Sequence, residues 1–510
     1  MIGLIVFILL FGFIFNYFYK AAYIRPDNFP PGPPRLPVYG GYWILLAKAY
    51  NNLGLASTRL AKEYKTKIVG LFLGPYPQII VNDPIIIKEV LIREEFDGRM
   101  DTVVSRLRSF WKKFGIFFTD GYFWHVQRRF TLRYMRDSGF GRRDNVLEDV
   151  IAHNTKEVMN IVINGPQTIE EKVIVRGDLI YLPHFFAVPF INGLLHIITG
   201  STFPRNMYPD LWYLAKQTLL FQRSTNDLGG ALIITPWLKS MLPEFSGFKG
   251  LSNGNQALLD FFEVIIKDAI ETYDEKYDRS FLDIYIRAMK EDMKQNKRST
   301  YSVQQLQLIC TDYMFPTATA VEMVLTMLVE QMLMHPEVQE KIHEEIDRVV
   351  GRDRAPTLDD RNKMPYTEAC IREMMRTETP VTLGVAHRAM VDTKLGGYDI
   401  PKNTSVSVNY VSLHMSKDIW GDPESFRPER FIVNGKLQVS SDKSLPFGAG
   451  RRLCAGETFA RQGMFLVLAM FMQQFKLSTA DGKPLKQASK RIQGIITTIP
   501  EFWARVTPRY

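Results

Sequence analysis

The run Phe447-Gly448-Ala449-Gly450-Arg451-Arg452-Leu453-Cys454-Ala455-Gly456 constrains this chain more than any other stretch. It sets one cysteine among glycines, with an arginine two residues before it. The glycines permit tight turns and let the backbone approach a flat ligand closely. A cysteine thiolate can ligate haem iron and push electron density towards oxygen, favouring O–O cleavage. On that reading Arg452 pairs with a haem propionate, backbone N–H groups hold Cys454 as thiolate, and Phe447 packs beside the sulfur and keeps water away. A lone cysteine in a glycine loop is more often a small buried hydrophobe. Here every fixed position of Phe-x-x-Gly-x-Arg-x-Cys-x-Gly is filled, which argues for a ligand loop.

Composition narrows the setting. The 510 residues contain three cysteines, Cys310, Cys370 and Cys454, too few for a disulfide framework, so a reducing environment is expected for the folded part. The net charge of +9 suits a membrane surface or an acidic protein partner. The basic residues are spread out and no nucleic-acid motif is present, so nucleic acid is not an expected partner. With no repeat and no low-complexity tract, one large globular unit is expected.

Residues 1–20 read as a transmembrane signal anchor. Met1 to Tyr19 is apolar apart from Asn16, and nineteen helical residues span roughly 28 Å, about one bilayer core. A cleaved signal peptide has a shorter apolar run with positive charge before it. Here Lys20 and Arg25 follow the run, which keeps the downstream chain cytosolic. A buried core helix is the third option. Residues 21–40, with Phe29-Pro30-Pro31-Gly32-Pro33-Pro34-Arg35-Leu36-Pro37, read as a stiff Pro-rich hinge, and 41–510 as the catalytic unit. Ile68–Leu73 and Gln78–Val81 read as strands about a Gly-Pro turn, followed by a helix opened by Asn82-Asp83-Pro84 and running through Leu91.

On its cysteine loop the chain resembles the cytochromes P450, in particular animal microsomal members and the arthropod branch that includes hormone-synthesising enzymes. Further motifs extend the resemblance: Trp124-His125-Val126-Gln127-Arg128, His335-Pro336-Glu337-Val338-Gln339, Glu373-Met374-Met375-Arg376 and Phe426-Arg427-Pro428-Glu429-Arg430-Phe431. It implies a mainly α fold with a small β region and an N-terminal transmembrane anchor. It also implies haem b, with Cys454 as the iron ligand. Arg99, Trp124, Arg128, His387 and Arg452 would contact the propionates. Glu373, Arg376 and Arg430 would form a structural triad tying the loop before the cysteine to the core. Taken alone each is weak: Glu-x-x-Arg is usually a surface ion pair, an arginine on tryptophan is often surface packing, and a lone histidine is usually a satisfied strand residue. The resemblance also implies that Thr382 to Val385 and Gly494 to Thr497 lie on substrate-contacting strands. Arg128, Arg129, Arg133, Arg136, Arg142 and Arg143 would offer a docking face for an acidic reductase, against the plain alternative of a solvated basic face. Phe185, Phe186, Phe190 and Phe221 fall in the family's variable substrate region, although such groups are more often core.

One departure bears on chemistry. Tyr301 to Met334 reads as the longest helix, and the family's Ala-Gly-x-(Asp/Glu)-Thr-Thr falls on Pro316-Thr317-Ala318-Thr319-Ala320-Val321. The acid position holds Thr319 and the alcohol position Ala320. Pro316 removes the N–H that would bond the carbonyl of Asp312, so a kink is expected there. The missing donor is expected from Thr317, which lies one turn before Ala320 on the same face, from an ordered water in the kink, or from a hydroxyl on the substrate; the plain alternative is that Thr317 bonds back to its own helix.

The resemblance implies an endoplasmic-reticulum enzyme facing the cytoplasm. It would hydroxylate a lipophilic substrate with O2 and electrons from NADPH, delivered by NADPH-cytochrome P450 reductase with cytochrome b5 as a further donor. No flavin or nucleotide motif is present to supply electrons within the chain. A sterol, terpenoid or cuticular lipid is the substrate class suggested by analogy. Two other functions stay open: a haem-thiolate isomerase or dehydratase that does not activate O2, and a non-catalytic haem-binding sensor or scaffold.

Overall fold

The computed structural model describes residues 10–16, 24–295, 299–483 and 485–510. Most of the expected anchor lies outside the described residues; residues 10–16 of it are helical and exposed. The architecture is mainly helical with a small β region. A five-stranded sheet runs in the order Ile68–Leu73, Tyr76–Val81, Ser405–Val408, His387–Arg388, Gly98–Arg99. A four-stranded sheet joins Phe475–Thr479, Phe502–Pro508, Leu179–Leu182 and Val175–Arg176. Thr382–Val385 and Gly494–Thr497, expected as strands, are bends and loop instead. The reason is tertiary: Thr382 and the Leu383 N–H both donate to Asp227, and the Ile495 N–H donates to the Gln222 carbonyl, so their hydrogen bonds leave the ladder direction.

The Pro-rich segment is docked onto the first sheet. The Gly70 N–H donates to the Pro31 carbonyl, and Arg25 donates to the carbonyls of Pro30, Gly32, Pro33 and Gly70. A Cβ at Gly32 would stand 2.1 Å from the Gly70 carbonyl oxygen, so only glycine allows this approach. Beyond it, the expected helix runs Pro84–Ile92, with Asp83 accepting from the N–H groups of Ile85 and Ile86 and proline in the first turn.

The core is built around the helices Val303–Thr317, Ala320–Met334 and Glu457–Gln474. Phe465 and Phe471 are fully buried, and burial of each contributes about 2–3 kcal/mol. The Val303–Met334 stretch is long and apolar enough to cross a membrane, yet 89% of its most apolar window is packed inside the protein. Phe185, Phe186, Phe190 and Phe221 are all buried in this core.

The expected single kinked helix over Tyr301–Met334 is two helices. Val303–Thr317 ends, Thr319 takes φ −141° and ψ −51°, and Ala320–Met334 begins. The break lies downstream of Pro316. The Ala318 N–H still reaches the Met314 carbonyl, whereas the Thr319 N–H turns to the Pro316 carbonyl at 3.4 Å. Thr319 then caps the second helix through its own carbonyl, which accepts from the Met323 N–H.

Candidate active site

The cysteine loop is held in place by backbone geometry. Gly448 and Gly450 have φ of 74° and 69°. A Cβ at Gly450 would stand 2.0 Å from the Leu91 carbonyl oxygen. A 3-10 turn over Gly450–Arg452 leads to Cys454, whose N–H donates to the Phe447 carbonyl at 2.9 Å. Helix Glu457–Gln474 follows, so Cys454 sits just before a helix N-terminus, where negative charge is favoured. The Cys454 side chain is solvent-accessible while protein atoms crowd around it. Burial pushes its thiol up from the ordinary value, while the Gly456 backbone and the Arg128 charge pull it down. An iron bound at the sulfur would keep it deprotonated. Phe447 stands beside the loop with the Arg461 guanidinium 4.8 Å from its ring centre.

Arg99, Arg128 and Arg452 converge on this loop from three elements. Arg99 comes from the Gly98–Arg99 strand, is buried, and donates to the carbonyls of Phe117, Val385 and Ala386. Arg128 comes from helix Gly121–Met135 and donates to the Leu453 carbonyl. Arg452 donates to the carbonyls of Asp97 and Thr119 and lies 3.7 Å from the centre of the Trp124 ring. Asp120 caps the start of helix Gly121–Met135 without a capping hydrogen bond. Its carboxylate accepts from the Arg99 N–H and from Arg388 instead, which locks the helix to the strand.

None of Arg99, Arg128 and Arg452 makes an ion pair with a carboxylate among the described residues. Burial, then the neighbouring Arg128, pushes Arg99 down to about 10; burial, then Arg99, pushes Arg452 down to about 8. Guanidinium stays protonated in proteins, so these depressions express first the cost of burying a cation and then repulsion by a neighbouring arginine, both of which an anion would offset. Trp124 Nε1 and Arg128 Nε are also buried donors without a partner among the described residues. Buried polar groups are nearly always paired, so these donors point to an anionic group that belongs here. Cationic donors beside a cysteine loop suit the two carboxylates of a haem.

His387 pairs with Arg99 across the antiparallel strands. It is buried, and its Nδ1 lies 2.7 Å from the Phe96 carbonyl oxygen. Burial, and secondarily the Arg99 charge, hold it neutral well below its ordinary value. Neutral and donating from Nδ1, it offers a bare Nε2, which can donate to a propionate only after gaining a proton.

Glu373, Arg376 and Arg430 meet. Arg376 grips both carboxylate oxygens of Glu373 at 2.8 Å, and Arg430 donates to one of them at 2.9 Å. Arg376 adds bonds to the carbonyls of His414 and Pro423, which pins the segment before the cysteine loop to helix Pro365–Glu378. Of the six arginines expected on a docking face, Arg128 turns inward. Arg143 pairs with Glu148 and Asp359, and Arg136 and Arg142 share Asp137.

At the helix break Thr317 is buried and donates to the Tyr313 carbonyl at 2.8 Å. Its hydrogen is therefore committed to its own helix, and Ala320 brings no hydroxyl. Thr319 receives Gln222 Nε2 at 2.5 Å and donates to the Phe315 carbonyl. Sequence reasoning missed the carbonyls of Asp97 and Thr119, because backbone acceptors carry no residue signal. It also missed the buried ion pair of Arg108 with Asp312 at 2.8 Å, whose partners are 204 residues apart.

The cytochrome P450 family model matches residues 30–503. Farnesoate epoxidase of Bombyx mori is 30% identical over 501 residues, covering 98% of this chain and 97% of that protein. Probable cytochrome P450 303a1 of Drosophila melanogaster is 30% identical over 485 residues, 92% of this chain and 93% of that protein. Cytochrome P450 2J2 of Homo sapiens is 29% identical over 470 residues, 90% of this chain and 88% of that protein. With the cysteine loop, the unpaired arginines around it and a match over nearly the full length, the chain belongs to the cytochrome P450 family, haem-thiolate oxidoreductases of the monooxygenase type.

Proposed function

We propose that this protein is a membrane-bound monooxygenase on the cytoplasmic face of the endoplasmic reticulum. In this reading it hydroxylates a lipophilic endogenous compound with O2 and NADPH-derived electrons from cytochrome P450 reductase, with cytochrome b5 as a further donor. The observation that carries the reading is the convergence of Arg99, Arg128 and Arg452 on Cys454 with no carboxylate of their own among the described residues. Haem, when bound, supplies oxygen activation. The chain's own residues do the rest. Cys454 would ligate the iron, and the N–H groups at the following helix start favour its thiolate. The three arginines and Trp124 would hold the propionates, and His387, neutral in the protein alone, would join them only in its protonated form. Phe447 shields the sulfur from water. Glu373, Arg376 and Arg430 keep the loop fixed.

Among sterols, terpenoids and cuticular lipids, a terpenoid is favoured by the Bombyx mori relative, whose name describes epoxidation of farnesoate. The test is reconstitution of the full chain with reductase and NADPH against a lipid extract, read by mass spectrometry. The expected result is NADPH-dependent loss of a species and gain of one heavier by an oxygen atom; no NADPH oxidation would overturn the reading. Ala320 and the engaged hydroxyl of Thr317 favour a second reading, isomerisation or dehydration of an already oxygenated substrate. Conversion without reductase would identify it.

A further inference from the structure

The second half of the broken helix carries a column of buried polar side chains that an apolar core does not need. Thr319, Glu322, Thr326 and Glu330 follow one another at three- and four-residue steps, so they share one helix face. All four are at most 4% exposed. The inner end is Thr319 at the break, bonded to Gln222, whose Oε1 is buried without a partner among the described residues. Glu322 comes next and accepts from the N–H groups of His184 and Phe186. The Thr326 hydroxyl has no partner among the described residues, and neither has His184 Nδ1. Glu330 ends the column, accepting from the Ser489 N–H at 2.8 Å and pairing with Arg491 at 2.7 Å. Ser489 lies between the exposed residues Ala488 and Lys490, so the outer end reaches the surface.

We propose that Glu322, Thr326 and Glu330 conduct protons from the surface at Ser489–Arg491 to the helix break at Thr319. They do so in place of the acid and alcohol that positions 319 and 320 lack. Successive members are about 5–6 Å apart at Cβ, a gap that one bridging water closes by hydrogen bonds at both ends. The unpartnered hydroxyl and ring nitrogen are the polar contacts such waters use. Burial raises the Glu322 carboxyl to about 8, so it holds a proton near neutral pH and can release it, as a relay group must.

The inference rests on the monooxygenase reading, in which each O2 takes two electrons from NADPH and two protons. One oxygen atom enters the substrate and the other leaves as water. If the path no longer steers those protons into O–O cleavage, the same two electrons and two protons leave with O2 as hydrogen peroxide, and no oxygen atom enters the substrate.

The test uses haem-loaded full-length protein and the variants Thr326→Val and Glu322→Gln. Thr326→Val removes a hydroxyl with no protein partner among the described residues, and Glu322→Gln keeps an acceptor for both N–H groups. A high-resolution crystal structure of the wild type should show waters on Thr326 Oγ1 and between Glu322 and Glu330. With reductase and NADPH, both without added substrate and with the lipid extract, the fraction of electrons recovered as peroxide should rise severalfold in each variant. The spectrum of the reduced carbon-monoxide complex should not change. A dry Thr326 hydroxyl, or wild-type peroxide release in Thr326→Val, would overturn the proton path. If the wild type oxidises no NADPH at all, the monooxygenase reading fails, and the crystal structure still decides whether the column is wet.

Discussion

Cys454 and Arg452 sit two residues apart and answer to different physics. Cys454→Ser should abolish the strongly red-shifted absorption of the reduced carbon-monoxide complex, because a hydroxyl does not replace thiolate as ligand. Arg128→Ala and Arg452→Ala should each weaken haem retention, because a buried charge-assisted partner is lost. The loss is on the order of a few kcal/mol, read as haem content after parallel purification. Arg128→Ala should also relieve the repulsion that, after burial, depresses Arg99, so that variant without haem should be no less stable to heat than the haem-free wild type. Glu322 gives a pH signature. Its carboxyl rises from an ordinary 4.5 to about 8 on folding, so between those values the native state holds a proton that the unfolded chain has released. Stability from this group is therefore fully present below about 4.5 and is lost as pH rises towards 8. Glu322→Gln should remove that slope, and the melting temperature of the variant relative to wild type should climb from pH 5 to pH 8.

At the scale of elements, the 115–117 loop and helix Val303–Thr317 are held together by one carboxylate. Asp312 takes Arg108 and the N–H groups of Ile116 and Phe117, and a Cβ at Gly115 would stand 2.4 Å from it. Burial raises the Asp312 carboxyl and lowers the Arg108 guanidinium, so desolvation works against both partners and their pairing offsets it. Asp312→Ala strands a buried cation and should cost about 3–5 kcal/mol in denaturant unfolding. The double variant Asp312→Leu with Arg108→Met should cost much less, because no uncompensated charge remains. The break after this helix belongs to the same element. Since the hydroxyl of Thr317 is engaged with Tyr313, Thr317→Val should leave the peroxide fraction near wild type, whereas Ala320→Thr should lower it by restoring a hydroxyl at the break.

At the scale of the whole molecule, the Pro-rich segment ties whatever precedes it to the first sheet. Arg25 clamps the two together, donating to the Gly70 carbonyl on the sheet and to the carbonyls of Pro30, Gly32 and Pro33 in the segment. Deleting residues 1–20 should reduce sedimentation with membranes and leave the carbon-monoxide spectrum intact, since every residue assigned to the site lies beyond that stretch. Arg25→Ala should instead loosen the docking of the Pro-rich segment on the sheet and lower the melting temperature, because three carbonyls of the segment and one of the sheet lose a charged donor.

The cysteine loop, the Glu373–Arg376 spacing and the helix start at Asp83-Pro84 were legible in the sequence, because each depends on neighbours within a few residues. Turn glycines, caps and i,i+3 pairs are local chemistry. Pro316 announced a disturbance but not its place: the break fell at Thr319, whose N–H turns to the Pro316 carbonyl and whose hydroxyl accepts from Gln222 of another helix. Thr382–Val385 carries strand-forming residues, and only the distant Asp227 turns it into bends. The tertiary structure alone placed Arg99, Arg128 and Arg452 together from positions up to 353 residues apart, and lined up Glu330 with Arg491. Charge spread along a chain has no energetic meaning until burial removes the water between the groups. Local spacing told which residues could do chemistry here, and folding decided which of them share a low-dielectric site.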